Sequence, residues 1–316
     1  LGGSNNEIAT SAVLDTDGSI WIVGASSSTV SKTPSPTPTK LLNPDNVEIS
    51  PNTSTNTSLT KLNLWQVSAS GQLINSFETQ TAGVINPQKI LITQTGLVVF
   101  GDIYEKSTIK GFFASMSKAG VFTPLIKYGV KQTQFAGAVS NTDGSFTVVG
   151  KSADLLLKVK PLSKGDAITI KISTKGVLQQ VARATLKSTT RSWDSISTGL
   201  LQGGLVKYAK KSEAAVTKFS AIGKPLWNDR YPASSSALVA TGSNSWATFV
   251  STGAIAGIPS WKPKVPTSVV LELGKKGEVV TASAISGLPV AIARNNEIGT
   301  VVITDSGTSF GIVLIN

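Results

Sequence analysis

The chain has 316 residues, of which 40% are hydrophobic and 15% charged, and it carries a net charge of +11. This length and apolar fraction fit one folded unit with a sizeable core and exclude a disordered chain. Cysteine and histidine are both absent, which excludes disulfides, thiol nucleophiles, Ser-His-Asp triads and the commonest transition-metal ligands.

The first repeated phrase, in chain order, is an Asp-Gly turn between two β-prone runs. Residues 12–24 read AVLDTDGSIWIVG, and residues 138–150 read AVSNTDGSFTVVG. Asp-Gly favours the positive φ of a tight hairpin, which predicts two antiparallel strands. The second runs of several copies are apolar at consecutive positions, which indicates strands covered on both faces. Looser copies lie at 95–101, 203–209, 245–251 and 298–304.

A second phrase follows each of the first five hairpins and has the form Ser-x-x-Gly or Gly-x-x-Gly. Its copies recur at intervals of about fifty residues, which is typical of a β-propeller. A single small sheet cannot bury both of its faces until neighbouring copies stack against it. The copies occupy residues 68–71, 117–120, 173–176, 220–223 and 274–277.

These repeats predict one all-β domain over residues 1–316, a six-bladed β-propeller with four strands in each complete blade. A seven-bladed or incomplete propeller is the alternative, because the last blade offers only three strand candidates. We number the strands of a blade from the axis outward. The predicted blades span residues 7–78, 85–125, 134–181, 194–228, 237–283 and 289–316.

Long connections between second and third strands are predicted in alternate blades. Residues 26–60, rich in Pro, Ser, Thr and Asn, form a loop insertion in blade 1, and longer connections recur at 151–166 and 251–267. They leave the sheets on the same side as the crossings between blades, opposite the tight hairpins. We call this side the loop face, and we expect binding residues there.

The phrase DGSIWIVG at 17–24, followed by LWQVSASGQLINSF at 64–77, resembles the repeat of bacterial extracellular β-propellers of the delta-repeat type. The resemblance covers blade 1 well and the other blades loosely. It implies a propeller fold in a secreted or cell-surface setting, and it supplies no catalytic residues.

The basic residues are concentrated in the middle of the chain, where residues 106–224 hold 19 Lys and Arg against five Asp and Glu. This sector predicts attraction to an acidic polysaccharide or a protein partner; a solvated surface that maintains solubility is the alternative. Nucleic acid is disfavoured, because few aromatic residues interleave with the lysines. The predicted binding residues are Lys158, Lys160, Lys164, Arg183 and Arg191, with Trp193, Arg230, Tyr231 and Trp261 in predicted loops on the same face. Lys151 and Lys187 add further positive charge at the blade 3 part of this face.

The predicted function is therefore a non-catalytic binding or scaffolding module outside the cytoplasm. A propeller carbohydrate-active enzyme is the alternative, and Asp194 and Asp229, predicted in crossings on the loop face, are its candidate carboxylates. No metal site is predicted, because the Asp-Gly turns lack the further carboxylate that a calcium loop needs. No cofactor and no membrane span are predicted.

Overall fold

The structure is a computed structural model that describes residues 6–27, 58–163, 165–185, 189–295 and 297–315. Within these residues the chain forms six small antiparallel sheets arranged as a six-bladed β-propeller, which confirms the predicted fold. The only helical element described is a 3-10 turn at Thr198–Leu200, and no described helix has the length and apolar character needed to cross a membrane.

Among the described residues, each of the first five blades has four strands, joined in chain order, and the sixth has three. Blade 1 contains β1 (Glu7–Leu14), β2 (Ile20–Ser27), β3 (Leu59–Val67) and β4 (Leu73–Gln80). Blade 2 contains β5 (Val84–Thr93), β6 (Gly96–Glu105), β7 (Thr108–Ser117) and β8 (Ile126–Tyr128). Blade 3 contains β9 (Thr133–Ser140), β10 (Phe146–Ser152), β11 (Asp166–Ile172) and β12 (Leu178–Ala184).

The remaining blades follow the same order. Blade 4 contains β13 (Thr190–Ser197), β14 (Leu201–Tyr208), β15 (Lys211–Phe219) and β16 (Pro225–Pro232). Blade 5 contains β17 (Leu238–Thr241), β18 (Ser245–Ser251), β19 (Thr267–Leu273) and β20 (Val279–Ile285), and blade 6 contains β21 (Leu288–Asn295), β22 (Gly299–Asp305) and β23 (Phe310–Ile315). Within the insertion predicted at 26–60, residues 28–57 lie outside the described residues.

The core lies between the blades rather than within any one of them. Five hydrophobic clusters each join two consecutive blades, and the first strands of consecutive blades contact one another around the axis. Phe100 and Phe113 of blade 2 pack on Phe146 of blade 3, with ring centroids 5.4 and 6.2 Å apart. This stacking explains the continuous apolar runs, because a second strand such as β6 is covered from both sides.

Blade 6 buries only one of its faces in the described part of the chain. Val302 packs towards Trp246 of blade 5, whereas Phe310 and Ile312 on the opposite face are both 74% exposed. The predicted three-strand composition of this blade is confirmed, and β23 forms its outer edge.

The inner strands of five blades contain a β-bulge, which the sequence did not predict. The register shifts once in each of β1, β5, β9, β13 and β21. A bulge inserts one extra residue and redirects its side chain. In blade 4 the extra residue is Asp194, between Trp193 and Ser195. The bulge therefore gives this carboxylate an orientation that the alternation of a regular strand would not.

The turn glycines that define the second phrase all adopt positive φ, between 76° at Gly176 and 89° at Gly277. The serine that opens four of these turns also has a structural role. Its hydroxyl accepts the amide of the residue four positions later, as Ser68 does from Gln72 at 3.1 Å. The phrase is thus a turn stabilised by its own first side chain.

Two of these glycines differ in their surroundings, which allows backbone strain to be separated from crowding. A Cβ at Gly71 would meet no atom within 4 Å, whereas one at Gly176 would lie 2.4 Å from Ile126 Cδ1 and 2.9 Å from the Phe113 ring. We expect Gly71→Ala to cost about 1–2 kcal/mol from left-handed strain alone. Gly176→Ala should cost about 2 kcal/mol more, because the ring must move. Urea unfolding of the two variants measures the difference; equal losses would contradict this account of the turn.

Candidate functional site

A cavity of about 570 Å³ opens on the loop face between blades 3 and 4. It is formed where second strands end and first strands begin, so its walls come from β9, β10, β13 and β14 and from the crossing between blades 4 and 5. Its volume lies within the range of small-ligand sites. Its polar lining includes Gln134, Lys151, Arg191, Asp194, Lys207 and Ser236.

Asp194 is the acidic group in this lining. Its carboxylate Oδ2 accepts hydrogen bonds from Ser192 Oγ at 2.7 Å and from Ser236 Oγ at 2.6 Å. The sequence placed Asp194 in a crossing, but it lies within β13 at the bulge. The strand therefore begins earlier than predicted, and its bulge holds the carboxylate at the cavity wall.

Arg191 was also predicted in a crossing, and it too lies within β13. It is only 9% exposed, and its guanidinium stacks 4.2 Å above the Trp193 ring. Its Nη2 donates to Thr217 Oγ1 at 3.3 Å and to Asn228 Oδ1 at 3.0 Å, while its Nε has no hydrogen-bond partner among the described residues. Burial lowers the pKa of Arg191 to about 10, helped by the charge of Arg230, so the group remains protonated at neutral pH.

Lys151 and Lys207 add two exposed cations to the cavity lining. Lys151 was predicted on the blade 3 part of the loop face, together with Lys187, which lies outside the described residues. Lys207 was not predicted. With Arg191, the lining carries three positive groups against the one carboxylate of Asp194.

The other predicted basic residues of blade 3 separate into two groups. Lys158 and Lys160 are exposed in the connection between β10 and β11, and Lys164 lies outside the described residues. Arg183 is buried: it donates to the carbonyl oxygens of Ser152 and Asp154 and to Asp166 Oδ2. Its guanidinium therefore fixes the loop from beneath and does not face the cavity.

The carboxylate of Asp154 holds the blade 3 side of the site in place. Asp154 accepts the amides of Val130 and Gln132 at 3.0 and 2.9 Å and the hydroxyl of Thr133 at 2.8 Å. Burial opposes the ionisation of Asp154, but these donors outweigh it and hold the pKa below its usual value. The crossing between blades 2 and 3 is thereby anchored to the wall of the cavity.

The predicted loop aromatics are mostly core residues. Trp193 lies in β13 and is 1% exposed, and Tyr231 lies in β16 and stacks on Phe249 with centroids 5.4 Å apart. Their predicted location in exposed loops is wrong. Trp193 pairs with Gly204, where a Cβ would lie 1.9 Å from the carbonyl oxygen of Ser192 and 3.0 Å from the Cα of Trp193, so the missing side chain leaves room for the backbone at the bulge. Trp261 does lie in a loop, where its Nε1 donates to Ser251 Oγ at 3.1 Å.

Asp229 and Arg230 lie in the fourth strand of blade 4 rather than in a crossing. Arg230 pairs with Glu213 at 3.2 Å, and burial raises the pKa of Asp229. Asp194 is in the first strand, three strand spacings away, which corresponds to about 14 Å. The two carboxyl groups of glycosidases lie about 5–9.5 Å apart, so Asp194 and Asp229 do not form such a pair. Among the described residues, no three metal-ligating side chains cluster.

Comparisons with known proteins assign neither a family nor a function to the chain. No family model matches the chain, and no curated protein matches it. Among solved structures, the chain is similar to a protein from Lactobacillus plantarum, at 12% identity over 98% of this chain and 84% of the other, with a TM-score of 0.47.

Two further solved structures are similar to the chain at comparably low sequence identity. A protein of unknown function from Bacteroides caccae is 10% identical over 73% of this chain and 70% of its own, with a TM-score of 0.42. An α-L-arabinofuranosidase from Clostridium thermocellum is 10% identical over 88% and 94%, with a TM-score of 0.41. At these values the function has to be argued from the site itself.

Proposed function

We propose that this protein is a non-catalytic binding module that holds an acidic polysaccharide at the cavity between blades 3 and 4. The observation that carries the proposal is the charge of the lining, with Lys151, Lys207 and Arg191 against Asp194. A positively charged cavity with low-dielectric walls concentrates field lines and attracts polyanions. Lys158 and Lys160, exposed in the adjacent loop, extend the basic surface beyond the cavity along the path of a polymer.

The geometry supports binding better than catalysis. The separation of Asp194 from Asp229 is too large for two carboxyl groups that act on one glycosidic bond. The absence of histidine and cysteine from the sequence also removes the commonest alternative general bases and nucleophiles. A secreted or cell-surface location is part of this proposal, and its support is the resemblance of the blade repeat to extracellular propellers.

Salt-dependent binding to an immobilised polygalacturonate tests the proposal. Each lysine that neutralises a polymer charge releases a counterion, so affinity should fall steeply with salt. We expect Lys151→Gln/Lys207→Gln to weaken binding at least tenfold at 50 mM NaCl. The slope of log affinity against log salt should become shallower by about 2.

The matched control removes the same charge from the opposite face. Lys175 and Lys275 are exposed in the turns at 173–176 and 274–277, so Lys175→Gln/Lys275→Gln lowers the net charge equally without touching the cavity. We expect this control to lose less than twofold in affinity. An equal loss of affinity in both double variants would mean that binding depends on net charge and not on the cavity. If the wild-type protein does not bind polygalacturonate at low salt, the proposal is overturned.

A further inference from the structure

One side of the cavity carries a carboxylate, which a site for anions alone would exclude. Asp194 stands at the bulge of β13, and the extra residues at the other inner-strand bulges are Thr10, Gln88, Ala136 and Val290, all uncharged. An acidic group that lines the same cavity as Lys151 and Lys207 reduces the attraction for a polyanion. Its presence therefore indicates a second type of contact with the ligand.

The hydrogen bonds of Asp194 show what that contact could be. Both hydrogen bonds that its carboxylate accepts from described side chains, from Ser192 and Ser236, reach the same oxygen, Oδ2. Oδ1 has no hydrogen-bond donor among the described residues, and a carboxylate oxygen is an acceptor only. Beside it, the two serine hydroxyls each retain lone pairs that can accept a further hydrogen. Asp194, Ser192 and Ser236 thus present one charged and two neutral hydrogen-bond acceptors within a few ångströms of one another. Neighbouring hydroxyl groups of a ligand could donate hydrogen bonds to such a set.

From this geometry we infer that Asp194, Ser192 and Ser236 form a subsite that reads the hydroxyl groups of a sugar, while Lys151 and Lys207 read its acid group. The ligand class is then a uronate-type glycan, with a carboxylate and neighbouring hydroxyls on each unit. This inference rests on the proposed function and sharpens it, because polyanions without hydroxyls would meet Asp194 as a repulsive charge. The subsite thus acts as a specificity element.

The test compares two polymers of matched charge, oligogalacturonate and poly-L-glutamate, by titration calorimetry on the whole protein. Wild type should bind oligogalacturonate at least tenfold more tightly. Asp194→Asn should weaken oligogalacturonate binding about tenfold, as loss of a hydrogen bond to a charged group does. The same variant should bind poly-L-glutamate equally well or more tightly, because a repulsive charge is gone.

A control is needed to distinguish a role of Asp194 in stabilising the crossing from its proposed role in binding sugar hydroxyls. The control is Ser235→Ala, which removes the acceptor for the Val250 amide at 2.8 Å in the same crossing and leaves Asp194 untouched. We expect it to lower the melting temperature without changing the ratio of the two affinities. If Asp194→Asn weakens both polymers equally, as loosening of the crossing would, the hydroxyl-reading subsite is overturned.

The two proposals fail differently in this experiment. Equal wild-type affinity for the two polymers overturns the subsite and leaves the binding of polyanions intact. No wild-type binding of either polymer overturns the proposed function, and the subsite with it.

Discussion

Gly150→Ala should destabilise the protein by about 3 kcal/mol or more. A Cβ at this position would lie 1.9 Å from the carbonyl oxygen of Gln134 and 3.0 Å from the Cα of Phe135. Both atoms belong to the backbone of the inner strand, so no side-chain rotation can relieve the contact. Overpacking of this kind costs about 1–3 kcal/mol where side chains can move, and more where they cannot. Chemical denaturation followed by tryptophan fluorescence measures the loss.

The control for this prediction is Gly165→Ala, where an added Cβ would meet no atom within 4 Å. We expect its free energy of unfolding to stay within about 0.5 kcal/mol of wild type. We expect the two variants to differ because Gly150 pairs with Phe135 next to the bulge of β9, where the register shifts and the backbones of the two strands come close together. If Gly150→Ala is as well tolerated as the control, the bulge does not bring the inner strand against the second strand as described.

The same arrangement recurs in four blades and shows what the repeat phrase encodes. Gly24, Gly101, Gly150 and Gly204 each pair with the residue before an inner-strand bulge, and each would place a Cβ within 2.3 Å of a backbone oxygen. Gly24, Gly101 and Gly150 close the first phrase and were visible in the sequence as part of the repeat, whereas Gly204 stands at the start of the copy predicted at 203–209, because the turn of that blade lies earlier, at Thr198–Leu200. The reason why these positions require glycine was not visible in the sequence. A bulge depends on the pairing of two strands, and it leaves no periodic pattern in the sequence of either strand.

Most turn positions were predictable because they depend on local signals, whereas β13 and β16 extend blade 4 beyond the predicted 194–228. Asp-Gly and Ser-x-x-Gly fix the two hairpin turns of a blade, and the apolar runs between them fix the buried strands. The site residues were harder to place. Trp193 and Asp194 were assigned to a crossing, yet both lie in β13, where Trp193 packs between blades 3 and 4 and the bulge redirects the carboxylate of Asp194. Both effects depend on tertiary packing, which overrides local preference.

Asp102→Asn should stabilise the protein at alkaline pH by about 2–4 kcal/mol. Asp102 lies in β6 between blades 2 and 3 and is 3% exposed. Burial raises the pKa of Asp102 to about 7, against the opposing effects of the Phe135 amide, the Gln134 side chain and the charge of Lys151. The unfolded chain ionises near pH 3.9. Each pKa unit between the two states corresponds to about 1.4 kcal/mol, which sets the upper limit of the effect.

The direction of the pH dependence follows from which state holds the proton. Below about pH 4 the carboxyl group is protonated in both states and contributes no difference. Between about pH 4 and 7 the folded state retains the proton while the unfolded state releases it, so rising pH favours unfolding. Above pH 7 the whole penalty is present. Asparagine has no charge to desolvate, and its Oδ1 can still accept the Phe135 amide, which Asp102 Oδ1 accepts at 2.7 Å.

Urea unfolding of wild type and Asp102→Asn at pH 4, 6 and 8 therefore distinguishes a charge effect from a packing effect. The variant and the wild type should agree within about 0.5 kcal/mol at pH 4 and diverge as the pH rises. Glu297→Gln, at an exposed position in the blade 6 hairpin, should follow the wild-type curve throughout. A constant offset at all three pH values would assign the change to the hydrogen bond with Phe135. Greater wild-type stability at pH 8 would mean that the ionised Asp102 is compensated by Lys151, and that this lysine is shared between the blade interface and the cavity.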